Sequence, residues 1–166
     1  MKKVYCNFQL CLGCKSCEVA CAIEHSKSKD VYKAVSEDGV HRRVRVGKST
    51  YTPFPIRCQH CEDAPCVTAC ISGALRKDEK GRTIHDAEKC VGCWMCIMAC
   101  PFGALTKDDR TKTVFKCDLC PDRDTPACVE ACPTKALFFG TVPEFEKMAS
   151  GRKKEGEKIE IRHHRK

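Results

Sequence analysis

Sixteen of the seventeen cysteines fall into four groups. They read "CLGCKSCEVAC" at 11–21, "CQHCEDAPCVTAC" at 58–70, "CVGCWMCIMACP" at 90–101 and "CDLCPDRDTPACVEACP" at 117–133. Thiols at this density either pair with one another or bind metal. An odd total fits complete disulfide pairing poorly. Zinc takes four ligands in a tetrahedron, as two Cys-x-x-Cys pairs or mixed Cys/His sets, and has no use for a third cysteine three residues after a Cys-x-x-Cys. A cubane of four irons and four sulfides does. Two-residue gaps let a tight loop present three thiolates to three of its corners, and the fourth cysteine points elsewhere.

The third group carries the whole bacterial ferredoxin run, C-x2-C-x2-C-x3-C-P, whose fourth cysteine serves the neighbouring cluster. The first group matches except that Ala22 stands in place of the proline. Groups one and three share C-x-G-C-x-x-C-x-x-A-C. Groups two and four share a C-x-x-C, an enlarged proline-containing loop ("EDAP" and "PDRDTPA") and C-x-x-A-C. Groups two and three start 32 residues apart and groups three and four 27 apart, so spacing alone leaves open which groups share clusters.

The elements that would position these thiols are short. Leu75–Lys77 and Thr83–His85 flank the turn "DEKG" as a hairpin, and 104–115 reads the same way. Residues around each third and fourth cysteine suit a helical turn or two. The segment 26–52 is an insertion with a turn at Glu37-Asp38-Gly39 and a strand-like alternation in "HRRVRV"; Pro53 and Pro55 then lead into group two. "PEFEKMAS" at 143–150 suits a helix begun by Pro143. The tail from Gly151 is charged, with seven Lys/Arg against three Glu, and reads as solvated. In "VYCNFQL", Val4, Cys6, Phe8 and Leu10 fall on one strand face by period two, with Cys6 a small buried residue. Aligning the compact groups sets Cys6 against His85.

Composition agrees with metal. Hydrophobic residues are 42% of 166, but 17 of them are cysteine, which leaves a thin apolar core. The formal charge of +8 counts cysteine as neutral. Four oxidised clusters would contribute roughly −2 each, so the basic residues are counter-charge rather than a nucleic-acid surface. The start "MKKVYCNFQL" has no long apolar run, and no stretch approaches ~18 apolar residues, so a cytoplasmic protein without membrane insertion is expected. Sixteen cysteines filling sixteen sites leave no place for His60 as a ligand. His25, His41 and His85 show no constellation, and His163-His164 read as solvated. Trp94 could shield a cluster from water or simply pack. No phosphate-binding loop or nucleophile–base pair is visible, and no iron lacks its cysteine.

The cysteine framework from 6 to about 142 resembles the four-cluster ferredoxin-like electron-transfer subunits that partner carbon monoxide dehydrogenases, hydrogenases, formate dehydrogenases, and dimethyl sulfoxide reductase-type or tungsten aldehyde oxidoreductases. Within that family, "CLGCKSCEVACAIEHS" is most similar to the small subunit serving carbon monoxide dehydrogenase.

The resemblance implies an α+β fold of two pseudo-symmetric dicluster ferredoxin modules, one inserted in the other. Module one is made of about 1–25 and 110–142, module two of about 53–109, and 143–166 forms a helix and tail. It also implies four [4Fe-4S] clusters. Their ligand sets are Cys11, Cys14, Cys17 and Cys132; Cys117, Cys120, Cys128 and Cys21; Cys58, Cys61, Cys66 and Cys100; and Cys90, Cys93, Cys96 and Cys70. The function implied is relay of electrons between a catalytic oxidoreductase, carbon monoxide dehydrogenase foremost, and a second redox protein, with no bond-making chemistry of its own. The alternatives are an electron-transfer subunit of a molybdenum or tungsten oxidoreductase (formate dehydrogenase, aldehyde oxidoreductase or dimethyl sulfoxide reductase type) or of a hydrogenase, a free shuttle ferredoxin and, more remotely, a zinc or nucleic-acid-binding module.

Overall fold

The computed structural model describes residues 1–36, 42–49 and 52–153. The turn expected at Glu37-Asp38-Gly39, His41 and the tail with His163 and His164 lie outside them.

The strands form four separate antiparallel ribbons of two strands each. β1 (Lys3–Cys6) pairs with β8 (Leu137–Gly140), with Cys6 opposite Leu137 and Val4 opposite Phe139. The other three lie between them in sequence. β2 (Val44–Lys48) pairs with β3 (Pro53–Arg57), β4 (Leu75–Lys77) with β5 (Thr83–His85), and β6 (Thr106–Asp108) with β7 (Thr113–Phe115). Both hairpins read from the sequence are present. The β4–β5 turn is closed by Asp78, whose Oδ1 accepts from the Arg82 amide at 2.6 Å, and by Gly81 at φ 75°. β3 carries two prolines, which a two-stranded ribbon tolerates because each strand has a free edge.

Two features depart from the sequence reading. The strand of Val4 and Cys6 does not continue to Phe8 and Leu10. Asn7 accepts from the Gln9 amide at 3.1 Å and starts a 3₁₀ turn over Phe8–Leu10, so Phe8 lies 53% exposed. The insertion also contains an unexpected helix, α2 (Val31–Ser36). Asp30 caps it by accepting from the Lys33 amide at 2.9 Å, and Ala34 anchors it in the interior.

The remaining helices carry the third cysteine of each group: α1 (Ser16–Glu24), α3 (Pro65–Thr68), α4 (Met95–Ala99) and α5 (Ala127–Glu130). α1 packs on α5, and α3 on α4. Group one therefore meets group four, while groups two and three meet each other. α6 (Val142–Lys153) starts one residue before the expected Pro143, because Glu144 accepts from both the amide and hydroxyl of Thr141. Its Phe145 stacks on Tyr5 with ring centroids 5.2 Å apart. No described helix is long and apolar enough to cross a membrane.

Two small cores result. One gathers Val4, Val44, Leu119 and Leu137 around Cys21, Cys128 and Cys132; the other gathers Leu75, Leu105 and Val114 around Cys66 and Cys96. Among the described residues the buried apolar set is Ala, Val, Leu and Cys, with no Ile or aromatic. Isolated two-stranded ribbons are marginal in water. Side chains this small add little, so the cysteine sites must supply much of the cohesion.

Candidate metal centres

Each compact group curls through two left-handed residues at matching positions: Gly13 (φ 69°) and Lys15 (φ 63°), Gly92 (φ 64°) and Trp94 (φ 63°). Gly92 is required twice over, because a Cβ there would stand 2.4 Å from the Lys112 carbonyl oxygen. The second left-handed residue turns the chain directly into α1 or α4. That reversal gathers the first three sulfurs of a group on the inside of one loop.

Two cavities each gather four of the grouped cysteines. Cys11, Cys14, Cys17 and Cys132 line one cavity, with Cys6 in its wall. Cys70, Cys90, Cys93 and Cys96 line a second, walled by His85, Trp94 and Val114. Burial pushes the Cys21 thiol up to about 12, and the thiols that add to this are Cys117 and Cys120. Burial likewise raises Cys128, whose neighbours are Cys117, Cys21 and Cys120. Cys66 is raised by burial and then by Cys58, Cys100 and Cys61. In both cavities the fourth cysteine comes from a different group than the other three.

The donor chemistry fits iron–sulfur clusters. Buried thiols crowded this way resist ionising together, and a cationic metal core removes that cost by taking them as thiolates. Backbone amides already face several sulfurs. Arg43 N–H donates to Cys21 Sγ at 3.2 Å, His60 to Cys58 at 3.4 Å, Leu75 to Cys70 at 3.4 Å and Ala104 to Cys100 at 3.5 Å. Such donors stabilise thiolate ligands and tune a cluster's potential.

Several groups gain roles that the sequence did not show. His25, which has no constellation in the sequence, sits in one in space. Its Nδ1 lies 2.8 Å from the Cys21 carbonyl oxygen and 3.6 Å from Cys21 Sγ, and its Nε2 lies 3.1 Å from Asp118 Oδ1. Asp118 also accepts from the Cys120 amide at 3.1 Å and from the Arg43 guanidinium. The ligand-capable atoms of His25, Asp118 and Cys120 lie within 4.8 Å of one another. Signals for this knot were absent because Asp118 lies 93 positions from His25 and 75 from Arg43. His85 walls a cavity too, and it stands opposite Leu75 as Cys6 stands opposite Leu137. His60 is 1% exposed. Its Nδ1 accepts from the Thr83 amide at 3.1 Å, and burial, with Lys116 and Arg57 nearby, drives it down to about 3, so it is a neutral interior group.

Residues 49–142, which hold groups two, three and four, match the 4Fe-4S dicluster domain. The chain is 45% identical over 130 residues to the putative electron transport protein YsaA of Escherichia coli, covering 76% of this chain and 82% of that one. It is 42% identical over 151 residues to a protein of Rhodospirillum rubrum named iron-sulfur protein, covering 81% and 79%. The thiosulfate reductase electron transfer subunit PhsB of Salmonella typhi is 39% identical over 145 residues, covering 82% and 73%. The cysteine geometry and these matches together place the chain in the 4Fe-4S dicluster domain family, with [4Fe-4S] clusters as its cofactors.

Proposed function

We propose that the chain is an electron-transfer subunit that carries four [4Fe-4S] clusters in a row. The ligand sets are Cys11, Cys14, Cys17 and Cys132; Cys21, Cys117, Cys120 and Cys128; Cys58, Cys61, Cys66 and Cys100; and Cys70, Cys90, Cys93 and Cys96. The observation that carries the reading is exposure. Among the cysteines only Cys14 and Cys93 are exposed, and they belong to different sets. The α1–α5 and α3–α4 contacts join each of these two sets to one that lacks an exposed member, which supports a row with those two inside. A row with an accessible cluster at each end suits entry at one surface and exit at another. The packing of groups one on four and two on three supports a module of 53–109 nested within one of 1–25 and 110–142, with 26–52 as an insertion.

No iron is left without a cysteine, so substrate chemistry belongs to a partner. A relative named as an electron transfer subunit of thiosulfate reductase supports a catalytic oxidoreductase in that place. The first partner to test is carbon monoxide dehydrogenase, on the motif at 11–26. Anaerobic preparations should be brown and hold about sixteen irons per chain, four for each set of four cysteines. Eight irons or fewer in an intact preparation, or stoichiometric zinc, overturns the four-cluster reading. Reduction of a low-potential acceptor through this subunit should follow mixing with carbon monoxide dehydrogenase. Reduction only with a formate or aldehyde oxidoreductase removes that partner and leaves the relay intact.

A further inference from the structure

Two cations are buried in the interior. Arg57 and Lys116 are each 4% exposed. Neither has a carboxylate within ion-pair distance among the described residues; the ion pairs present involve other side chains. A charge removed from water needs a counter-charge or a metal site beside it. Carbonyl oxygens supply only dipoles, and these are what the two side chains reach. Arg57 donates to the carbonyl oxygens of Val4 and, at 3.5 Å, Cys58. Lys116 donates to those of Thr83 and, at 2.7 Å, Cys117.

The two arrangements are copies of each other. Arg57 directly precedes the first cysteine of group two, and Lys116 directly precedes the first cysteine of group four. Val4 and Thr83 are also equivalent, each lying two residues before the residue opposite Leu137 or Leu75. Arg57 thus reaches from group two to the ribbon before group one. Lys116 reaches from group four to the ribbon before group three. The pattern occurs at both expanded groups.

Each cation hydrogen-bonds the carbonyl oxygen of the inner-set cysteine that follows it, Cys58 for Arg57 and Cys117 for Lys116.

We infer that Arg57 and Lys116 are the counter-charges of the two inner clusters and raise their reduction potentials. The inference rests on the ligand sets proposed above. A fixed positive charge in a low-dielectric interior favours the more negative, reduced cluster. Placed on both sides of the module junction, the pair makes the inner clusters easier to reduce and eases the crossing from one module to the other.

The test is an EPR-monitored potentiometric titration of the whole iron-loaded protein. Arg57→Gln and Lys116→Gln each keep a donor for a carbonyl and lose the charge; Arg57→Lys and Lys116→Arg keep the charge. Each Gln variant should make inner clusters at least tenfold harder to reduce, which for a one-electron couple is about 59 mV. Outer clusters and the charge-keeping variants should stay near wild type. Failure of a Gln variant to take up iron, where its charge-keeping counterpart loads normally, also supports the inference. Unchanged potentials in fully loaded Gln variants overturn it. So do charge-keeping variants that behave like the Gln ones, since shape would then be the cause. Iron counting on the wild type reports separately on the four-cluster reading.

Discussion

His25 and Asp118, 93 positions apart in the chain, meet at 3.1 Å between Nε2 and Oδ1. The contact ties the end of α1 to the first loop of group four, and Arg43 joins it from the insertion. Burial by itself would push the Asp118 carboxyl up. The hydrogen bond from His25, then the charges of Arg43 and His25, outweigh it and hold the group well below the usual carboxylate range. A carboxyl lowered on folding stabilises the fold above its unfolded pKa, about 3.9, and that contribution is lost as pH falls toward the folded value. Asp118→Asn should therefore lower the midpoint of thermal cluster bleaching at pH 7, equivalent to about 1–2 kcal/mol for lost charge-assisted bonds. The gap to wild type should narrow below about pH 4. A gap that stays constant down to pH 3 assigns the loss to packing instead.

Cys21 gives a test of which cysteines work together. Neighbourhood in sequence would join it to Cys11, Cys14 and Cys17, whereas in space its thiol neighbours are Cys117 and Cys120. Cys21→Ser should perturb the EPR signal of the group-four cluster first, and Cys132→Ser that of the group-one cluster. The reverse assignment, read by comparing each variant with Cys120→Ser and Cys14→Ser, rules out the crossing.

Two glycines with nearly the same backbone angle separate strain from collision. Gly103 (φ 56°) has open space where a Cβ would go, so Gly103→Ala should cost roughly 1–2 kcal/mol of left-handed strain. Gly92 (φ 64°) adds a collision with the Lys112 carbonyl. Gly92→Ala should cost about 3 kcal/mol, at the upper end of ordinary substitutions, and reduce iron content at the fourth set. Equal melting points for the two variants would show that the Lys112 backbone yields freely.

Iron removal should unfold the chain rather than leave a stable apoprotein. The buried side chains are small and the ribbons have only two strands. Ligand binding free energy then becomes folding free energy. Anaerobic chelation followed by circular dichroism should show strand and helix signals falling with the visible absorbance. A chelated protein with its far-ultraviolet spectrum intact contradicts this.

What could be read from the sequence was what short-range chemistry controls. Asp78 and Gly81 specify the β4–β5 turn, and Pro65 starts α3 within its own group. The cysteine runs show the metal for the same reason, since three ligands come from seven to twelve consecutive residues. The pairing of β1 with β8 had no such signal. Its strands are four residues each, and nothing local specifies a partner more than 130 positions away. The 3₁₀ turn at Phe8 was hidden by an apolar alternation that Asn7 overrides. Nothing in the sequence singles out Arg57 and Lys116 among the 30 Lys and Arg residues, because burial of a charge depends on neighbours that only the tertiary fold supplies.

The β1–β8 ribbon also fixes an order of events during synthesis. On the ligand sets proposed above, residues 58 to 100 contain every cysteine of the two sets that groups two and three build, so those sets are complete while the chain is still emerging from the ribosome. Cys11, Cys14, Cys17 and Cys21 are made first yet wait longest. Their companions at 117–132, and the strand that closes over them, arrive some hundred residues later. The earliest thiols of the nascent protein are thus the last to be covered. In the interval they are the ones open to oxygen, to stray metals and to the cell's cluster-delivery machinery.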